Sequence, residues 1–257
     1  MSFQDILLES PSEHVLRITL NRPDARNALR RQLLEELTYA LHDADADDAV
    51  RCVILTGGEK VFAAGSDIKE FAGKTKLDMQ TDPRQELWKS IRAFSKPMVA
   101  AVNGYCLGGG NELVMLCDIV VAGEDAKFGQ PEIKLGLIPG AGGTQRLTAA
   151  IGKARAMKCI LSGEFISAED AFNWGLVSEL VDTDKAQDRA VEIATTIASM
   201  SPIAVKYALQ AVRTAADSNE AGFKLERELL VDLFETEDLH EGISAFIEKR
   251  KPEFQGR

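Results

Sequence analysis

Pro97-Met98-Val99-Ala100-Ala101-Val102 leads into Gly104-Tyr105-Cys106-Leu107-Gly108-Gly109-Gly110-Asn111-Glu112, and Ile119-Val120-Val121-Ala122 follows closely. The first segment is a short apolar run and reads as a buried strand. The second is rich in glycine, whose missing Cβ lets backbone N–H groups approach a ligand. Asn111 to Cys117 then reads as a helix, and the last segment is again a strand. Strand, glycine turn, helix and strand in this order define an α/β architecture with its sheets largely covered on both faces.

The same grammar extends outward. Val15-Leu16-Arg17-Ile18-Thr19-Leu20 partly alternates apolar and polar residues and is broken by Asn21-Arg22-Pro23-Asp24, a strand followed by a turn. Asn27 is placed to cap a helix running to about Leu41, with Leu29, Leu33, Leu34, Leu37 and Leu41 near helical spacing. Cys52-Val53-Ile54-Leu55-Thr56 is a short buried strand closed by Gly57-Gly58. Phe62-Ala63-Ala64-Gly65-Ser66-Asp67 leads into another helical stretch, and Ala126-Lys127-Phe128-Gly129 is a short strand. No exact repeat is visible.

From Pro202 onward the strand signal disappears. Residues 203–216 and 221–235 read as amphipathic helices, and Glu241 to Lys249 as a third. Phe223, Leu225, Leu229, Leu230, Leu233 and Phe234 give the second more apolar surface than a terminal helix alone hides. Packing on another subunit and packing on its own core both fit that pattern.

With 257 residues, 45% hydrophobic and 27% charged, the chain can bury a full core. A formal net charge of −10 disfavours duplex nucleic acid or an anionic membrane as the main partner. It leaves room for a local basic patch facing a phosphorylated ligand. The first residues lack a basic segment followed by a long apolar run, and no stretch reaches the roughly 18 apolar residues that span a bilayer. The expectation is a cytoplasmic protein. Cys52, Cys106, Cys117 and Cys159 form no C-x-x-C pair and read as reduced, buried small residues. His14, His42 and His240 are far apart, so a histidine metal site and a histidine-driven nucleophile both lose support.

Glu112 ends the glycine run, and Glu132 sits in Phe128-Gly129-Gln130-Pro131-Glu132, just before Leu135-Gly136-Leu137-Ile138-Pro139-Gly140-Ala141-Gly142-Gly143-Thr144. Two carboxylates beside exposed N–H donors suit proton transfer coupled to stabilisation of a developing oxyanion. Taken alone, the same residues also fit a solvated helix face, a loop carboxylate and tight helix–strand packing. Gly108-Gly109-Gly110 is no phosphate-binding loop, since no Gly-Lys-Ser/Thr follows, and it lacks dinucleotide spacing. Gly65-Ser66-Asp67 is no nucleophile elbow.

The ordered set of segments resembles the enoyl-CoA hydratase/isomerase (crotonase) superfamily across essentially the whole chain. It comprises Asn21-Arg22-Pro23 through Asn27-Ala28-Leu29, Phe62 through Glu70, Ala101-Val102-Asn103-Gly104 through Glu112, and Cys117-Asp118-Ile119. Phe128 through Glu132, Pro139 through Leu147, Gly175-Leu176-Val177 and Phe246-Ile247-Glu248-Lys249-Arg250 complete it. The resemblance implies a spiral of ββα units over residues 1–195 carrying the site, followed by a helical trimerisation region over 196–257. It implies an acyl-CoA substrate, a homotrimer or a homohexamer built as a dimer of trimers, and neither metal nor redox cofactor.

By position, the oxyanion hole falls on the backbone N–H groups of Ser66 and Gly109. Glu112 and Glu132 become the catalytic pair that holds one water over C2=C3 of a trans-2-enoyl-CoA. Glu112 assists attack at C3, and Glu132 delivers a proton to C2. Ala64, Ser66, Asp67, Ile68, Lys69, Gly109, Phe246 and Lys249 fall where relatives contact substrate or CoA. Ser66, where many relatives have alanine, is a departure that leaves a main-chain donor intact; Asn111 is a second departure and bears on substrate preference. The resemblance extends to hydratases of aromatic-acid breakdown acting on a dehydroadipyl-type ester, through Thr236-Glu237-Asp238 and His240 to Phe246. An isomerase using one carboxylate is a further alternative. Some relatives bind RNA, a role the −10 charge disfavours.

Overall fold

The computed structural model describes residues 3–73, 75–214, 236–238, 241, 245 and 248–257. In chain order its elements are β1 (Ile6–Ser12), β2 (Val15–Leu20), α1 (Arg31–Ala46), β3 (Cys52–Thr56), β4 (Val61–Ala63), α2 (Lys76–Gln80) and α3 (Arg84–Arg92). There follow β5 (Met98–Val102), β6 (Tyr105–Leu107), α4 (Gly109–Val114), β7 (Ile119–Gly123), β8 (Lys127–Gly129), α5 (Gly143–Ile151) and α6 (Lys153–Ser162). The last are β9 (Phe165–Ser167), α7 (Ala168–Trp174), β10 (Glu179–Val181), α8 (Ala186–Ala198) and α9 (Pro202–Thr214). No described helix is long and apolar enough to cross a membrane.

From β3 to β8 successive strands are dealt alternately to two sheets. The larger has the order β1-β2-β3-β5-β7-β10 and the smaller β4-β6-β8-β9. Thus β3/β4, β5/β6 and β7/β8 each send one strand to each sheet before the chain turns into helix. This is the ββα spiral expected from the resemblance. The central strands β2, β3, β5 and β7 are parallel neighbours, as crossover helices require.

β3 and β5 are buried at every position because successive side chains point to opposite faces and both faces are covered. Val53, Leu55, Met98, Ala100 and Val102 join Leu33, Leu34, Leu37 and Leu41 of α1 in the main core. Cys52, Ile54, Val99, Ala101 and Val121 face the other way, against Ala186, Ala190, Ala194 and Ala198 of α8. Alanine at every fourth position keeps one helix face flat, so α8 lies close on the sheet. α9 is tied to the same body by Arg213, which pairs with Asp118 at 2.9 Å and donates to the Phe94 carbonyl at 2.8 Å. Asp118 also accepts from the Met98 N–H at 2.8 Å.

Three sequence readings need correction. α1 begins at Arg31 and runs to Ala46, and Asn27 does not cap it. Asn27 is buried with φ 54°, and its side-chain amide donates to the carbonyls of Gly57, Val61 and Phe62 at 3.0–3.1 Å. It thereby staples the turn between β3 and β4 to the preceding loop. The helix bearing Glu112 spans Gly109–Val114, so it starts inside the glycine run and stops before Cys117. β1, β4, β6, β9 and β10 are strands that no pattern in the sequence singles out. The helices expected over 221–235 and 241–249 lie wholly or largely outside the described residues.

Ala190→Leu is expected to destabilise the fold by about 1–3 kcal/mol, because the extra methylenes must enter a closely packed helix–sheet contact. Denaturant unfolding would report it as a lowered midpoint at unchanged slope.

Candidate active site

β4 and β6 are neighbours in the smaller sheet, so the segments that leave their C-terminal ends arrive side by side. After β4, Ser66 forms a parallel bridge with Leu29: the Leu29 N–H donates to the Gly65 carbonyl at 2.8 Å, and the Asp67 N–H to the Leu29 carbonyl at 3.0 Å. Alternation along that bridge turns the Ser66 N–H to the opposite side. After β6, Gly108 adopts φ 50° and donates its N–H to the Gly129 carbonyl at 2.9 Å. Gly109 then begins α4, where the first N–H groups have no intrahelical acceptor. A Cβ on Gly109 would lie 2.9 Å from Ser66 Oγ and 3.4 Å from Ser66 N, which shows how close the two segments come. Neither the Ser66 nor the Gly109 N–H donates to any described residue.

Three residues along α4, Glu112 is 3% exposed. Its Oε1 accepts the Ala141 N–H at 2.7 Å and the Gly143 N–H at 2.8 Å. Arg146, in α5, donates to the Glu112 carbonyl at 3.3 Å and also to the Ala141 carbonyl. Burial raises the Glu112 pKa, while the two amides and the Arg146 charge work to lower it.

Glu132 occupies the 3-10 turn Pro131–Leu135 that follows β8. The fully buried Gln130, with its amide nitrogen turned to Glu132, donates to both carboxylate oxygens at 2.9 and 3.2 Å. Burial pushes the Glu132 pKa up to about 7; its own backbone N–H lowers it, and the charge of Glu112 adds to the rise. A Cβ on Gly108 would stand 3.0 Å from Glu132 Oε1, so glycine is needed there for space as well as for its backbone angle. Two nearby carboxyl groups are therefore set apart: one gripped by amides that favour its anion, the other inclined to keep its proton near neutrality.

Both line a cavity of about 680 Å³. Ala64, Ser66, Ile68, Gly109, Glu112 and Glu132 meet in its wall. Phe71, Met79, Trp88, Leu135, Leu137 and Ile138 give the lining its apolar surface. Asp67 and Lys69 do not line it: Asp67 pairs with Arg22 at 3.1 Å and accepts the Lys69 N–H, and Lys69 is exposed. Lys249 is exposed, with φ 56°, and is also absent from the lining. Phe246 lies outside the described residues. Sequence reasoning gave no role to Gln130, Arg146 or the amides of Ala141 and Gly143. The one available signal was Gly140 to Gly143, a second glycine-rich approach to a helix N-terminus.

The model of the enoyl-CoA hydratase/isomerase family matches residues 10–257. The chain is 48% identical to the 2,3-dehydroadipyl-CoA hydratase of Escherichia coli (strain K12), over 98% of this chain and 99% of that protein. It is 46% identical to the mitochondrial enoyl-CoA hydratase of Pongo abelii, over 99% of this chain and 89% of the other. Its fold superposes on the enoyl-CoA hydratase from Bacillus anthracis with a TM-score of 0.94 at 40% identity, covering 99% of this chain and 100% of that one. The chain belongs to the enoyl-CoA hydratase/isomerase family.

The raised Glu132 pKa has a stability consequence. The folded carboxyl binds its proton more tightly than the unfolded one, so stability falls as pH rises from the ordinary 4.5 towards about 7. Glu132→Gln removes that loss. Its stability relative to the native chain should climb across this window and level off above it, as read by denaturant unfolding at several pH values.

Proposed function

We propose that the chain hydrates trans-2-enoyl-CoA thioesters to 3-hydroxyacyl-CoA, using the Glu112–Glu132 pair above the Ser66 and Gly109 amides. The observation that carries the roles is the divided environment of the two carboxyl groups within one cavity. The thioester oxygen accepts the Ser66 and Gly109 N–H groups, whose hydrogen bonds strengthen as enolate charge develops. Glu112, anionic, takes a proton from water as the water oxygen bonds to C3. Glu132, protonated, gives its proton to C2. Return of a proton from Glu112 to Glu132 through solvent resets the pair. Hydration transfers no electrons, so the reading includes no redox cofactor, and the family resemblance implies no metal.

Glu112→Gln and Glu132→Gln are each expected to lower turnover of crotonyl-CoA by about 10²-fold or more, followed as loss of enoyl-thioester absorbance. Near-native rates in either variant would defeat the assignment. The pH profile of kcat/KM should be bell-shaped. Activity falls at low pH as Glu112 takes up a proton, and on the alkaline side near pH 7 as Glu132 loses one. Gly109→Ala places a methyl against Ser66 and should cost ~10²–10³ in turnover, whereas Ser66→Ala, which keeps the amide, should stay within a few-fold.

Two carboxyl groups in one cavity favour hydration over isomerisation with a single carboxylate. A dehydroadipyl-type ester is the second reading, supported by the 48% identity to the Escherichia coli protein of that name. A homotrimer or homohexamer, a cytoplasmic location and a place in β-oxidation belong to the same proposal and rest on the family resemblance.

A further inference from the structure

The cavity lining is not uniformly apolar. One helix, α3, contributes Arg84, Gln85, Trp88, Lys89 and Arg92 to the lining. Its three cations differ in how far their charge is already met. Arg84 is buried and bound on both sides of its fork to Asp82, at 3.0 and 2.5 Å; it stacks over the Phe71 ring at 4.4 Å and reaches Glu70 at 3.5 Å. Its charge is matched, and it serves to hold the start of α3 against the loop before it. Lys89 has only a solvent-exposed pair with Glu86 at 3.4 Å, an interaction of little strength. Arg92 makes no hydrogen bond or ion pair with any described residue. Burial is the main cause of the lowered pKa of Arg146, the residue that binds the Glu112 carbonyl, and Arg92 lies close enough for its charge to add to that fall.

The carboxylates in the lining are Asp82, engaged with Arg84, and the catalytic pair. The C-terminal half of α3 thus presents two cations without buried counterparts to a cavity whose remaining surface is largely apolar. Both are exposed at the cavity's edge, so water meets their charge while the site is empty, and a plain hydrocarbon tail would displace that water without replacing it. The arrangement is well suited to an acyl chain that ends in an anion.

We propose that Arg92, assisted by Lys89, is a specificity site for a carboxylate at the far end of the acyl chain, so that the enzyme favours enoyl-CoA esters of dicarboxylic acids. The proposal rests on the hydratase reading above. With the thioester oxygen on the Ser66 and Gly109 amides and C3 beneath Glu112 and Glu132, the chain beyond C3 runs along the wall formed by Phe71, Met79, Trp88 and α3. A guanidinium there meets a carboxylate through two parallel N–H bonds, a geometry that a methyl terminus cannot use. A leftover carboxylate would otherwise enter this wall unpaired, which makes the discrimination steep.

The test compares kcat/KM for 2,3-dehydroadipyl-CoA with that for trans-2-hexenoyl-CoA, which has the same length and a methyl end. The native enzyme should prefer the dicarboxyl ester, and the preference should shrink as ionic strength rises. Arg92→Gln should lower the ratio of the two constants about tenfold or more, mainly through KM for the dicarboxyl ester, and Lys89→Gln should lower it less. Arg92→Lys should recover part of the ratio, because charge is kept and the fork is lost. Hexenoyl-CoA turnover in each variant reports that the enzyme is folded. An equal loss on both substrates would assign these cations to the CoA end or to the fold, and overturn the proposal. So would an unchanged ratio, or a native enzyme without preference. Failure of the native chain to hydrate either ester would instead defeat the hydratase reading itself.

Discussion

Two hydrogen bonds hold the site together: the N–H groups of Ala141 and Gly143 converging on one oxygen of Glu112. A carboxylate this buried would ordinarily neutralise itself, because the anion loses its hydration without replacement. The loop before α5 supplies the replacement, and Arg146 closes the circuit by binding the carbonyls of both Glu112 and Ala141. Loop, helix and charge therefore support one another. The second Glu112 oxygen stays available to the cavity because the first one carries the structural duty.

Glu132 shows the opposite solution in the same space. Its partner is a neutral amide, Gln130, which donates hydrogen bonds without bringing positive charge, and Glu112 adds a repulsive neighbour. The fold makes this contrast possible by dealing its strands to two sheets. β6 ends where Gly108 turns towards α4 and Glu112, while β8, its neighbour, ends just before Gln130 and Glu132. Adjacent three-residue strands of the smaller sheet thus deliver one carboxyl group each, and β4 on the other side delivers the Ser66 amide. The larger sheet, clamped between α1 and α8, takes no direct part and provides the rigid base.

Much of this was legible from the residues. The partial alternation of β2 and the apolar runs of β3, β5 and β7 announced themselves, and the glycine-flanked Glu112 and Pro131-Glu132 marked where acids meet turns. Other features carry no distinctive local signal. Asn27 looks like a helix cap because capping and loop-stapling use the same side-chain chemistry; only its three carbonyl partners decide between them. β1 sits at a sheet edge with Leu7 and Leu8 exposed, so its alternation is blurred. β4 is too short to show a period. The α8 contact is made by alanines, whose weak hydrophobicity hides the stripe. Gln130 and Arg146 acquire meaning only once strands distant in sequence are paired, and the cavity wall from α2 and α3 has no pattern that names its occupant.

One chain of charges reaches from the first strand to the Ser66 loop. Asp5, just ahead of β1 and almost fully buried, binds Arg30 at 2.6 Å and lies 3.8 Å from Arg22; Arg22 in turn pairs with Asp67, next to Ser66. The N-terminal edge is thus wired to the amide that faces the cavity. A change that disturbed Asp5 would pass through Arg22 and Asp67 to the segment that holds the Ser66 amide, while the core behind it keeps its packing.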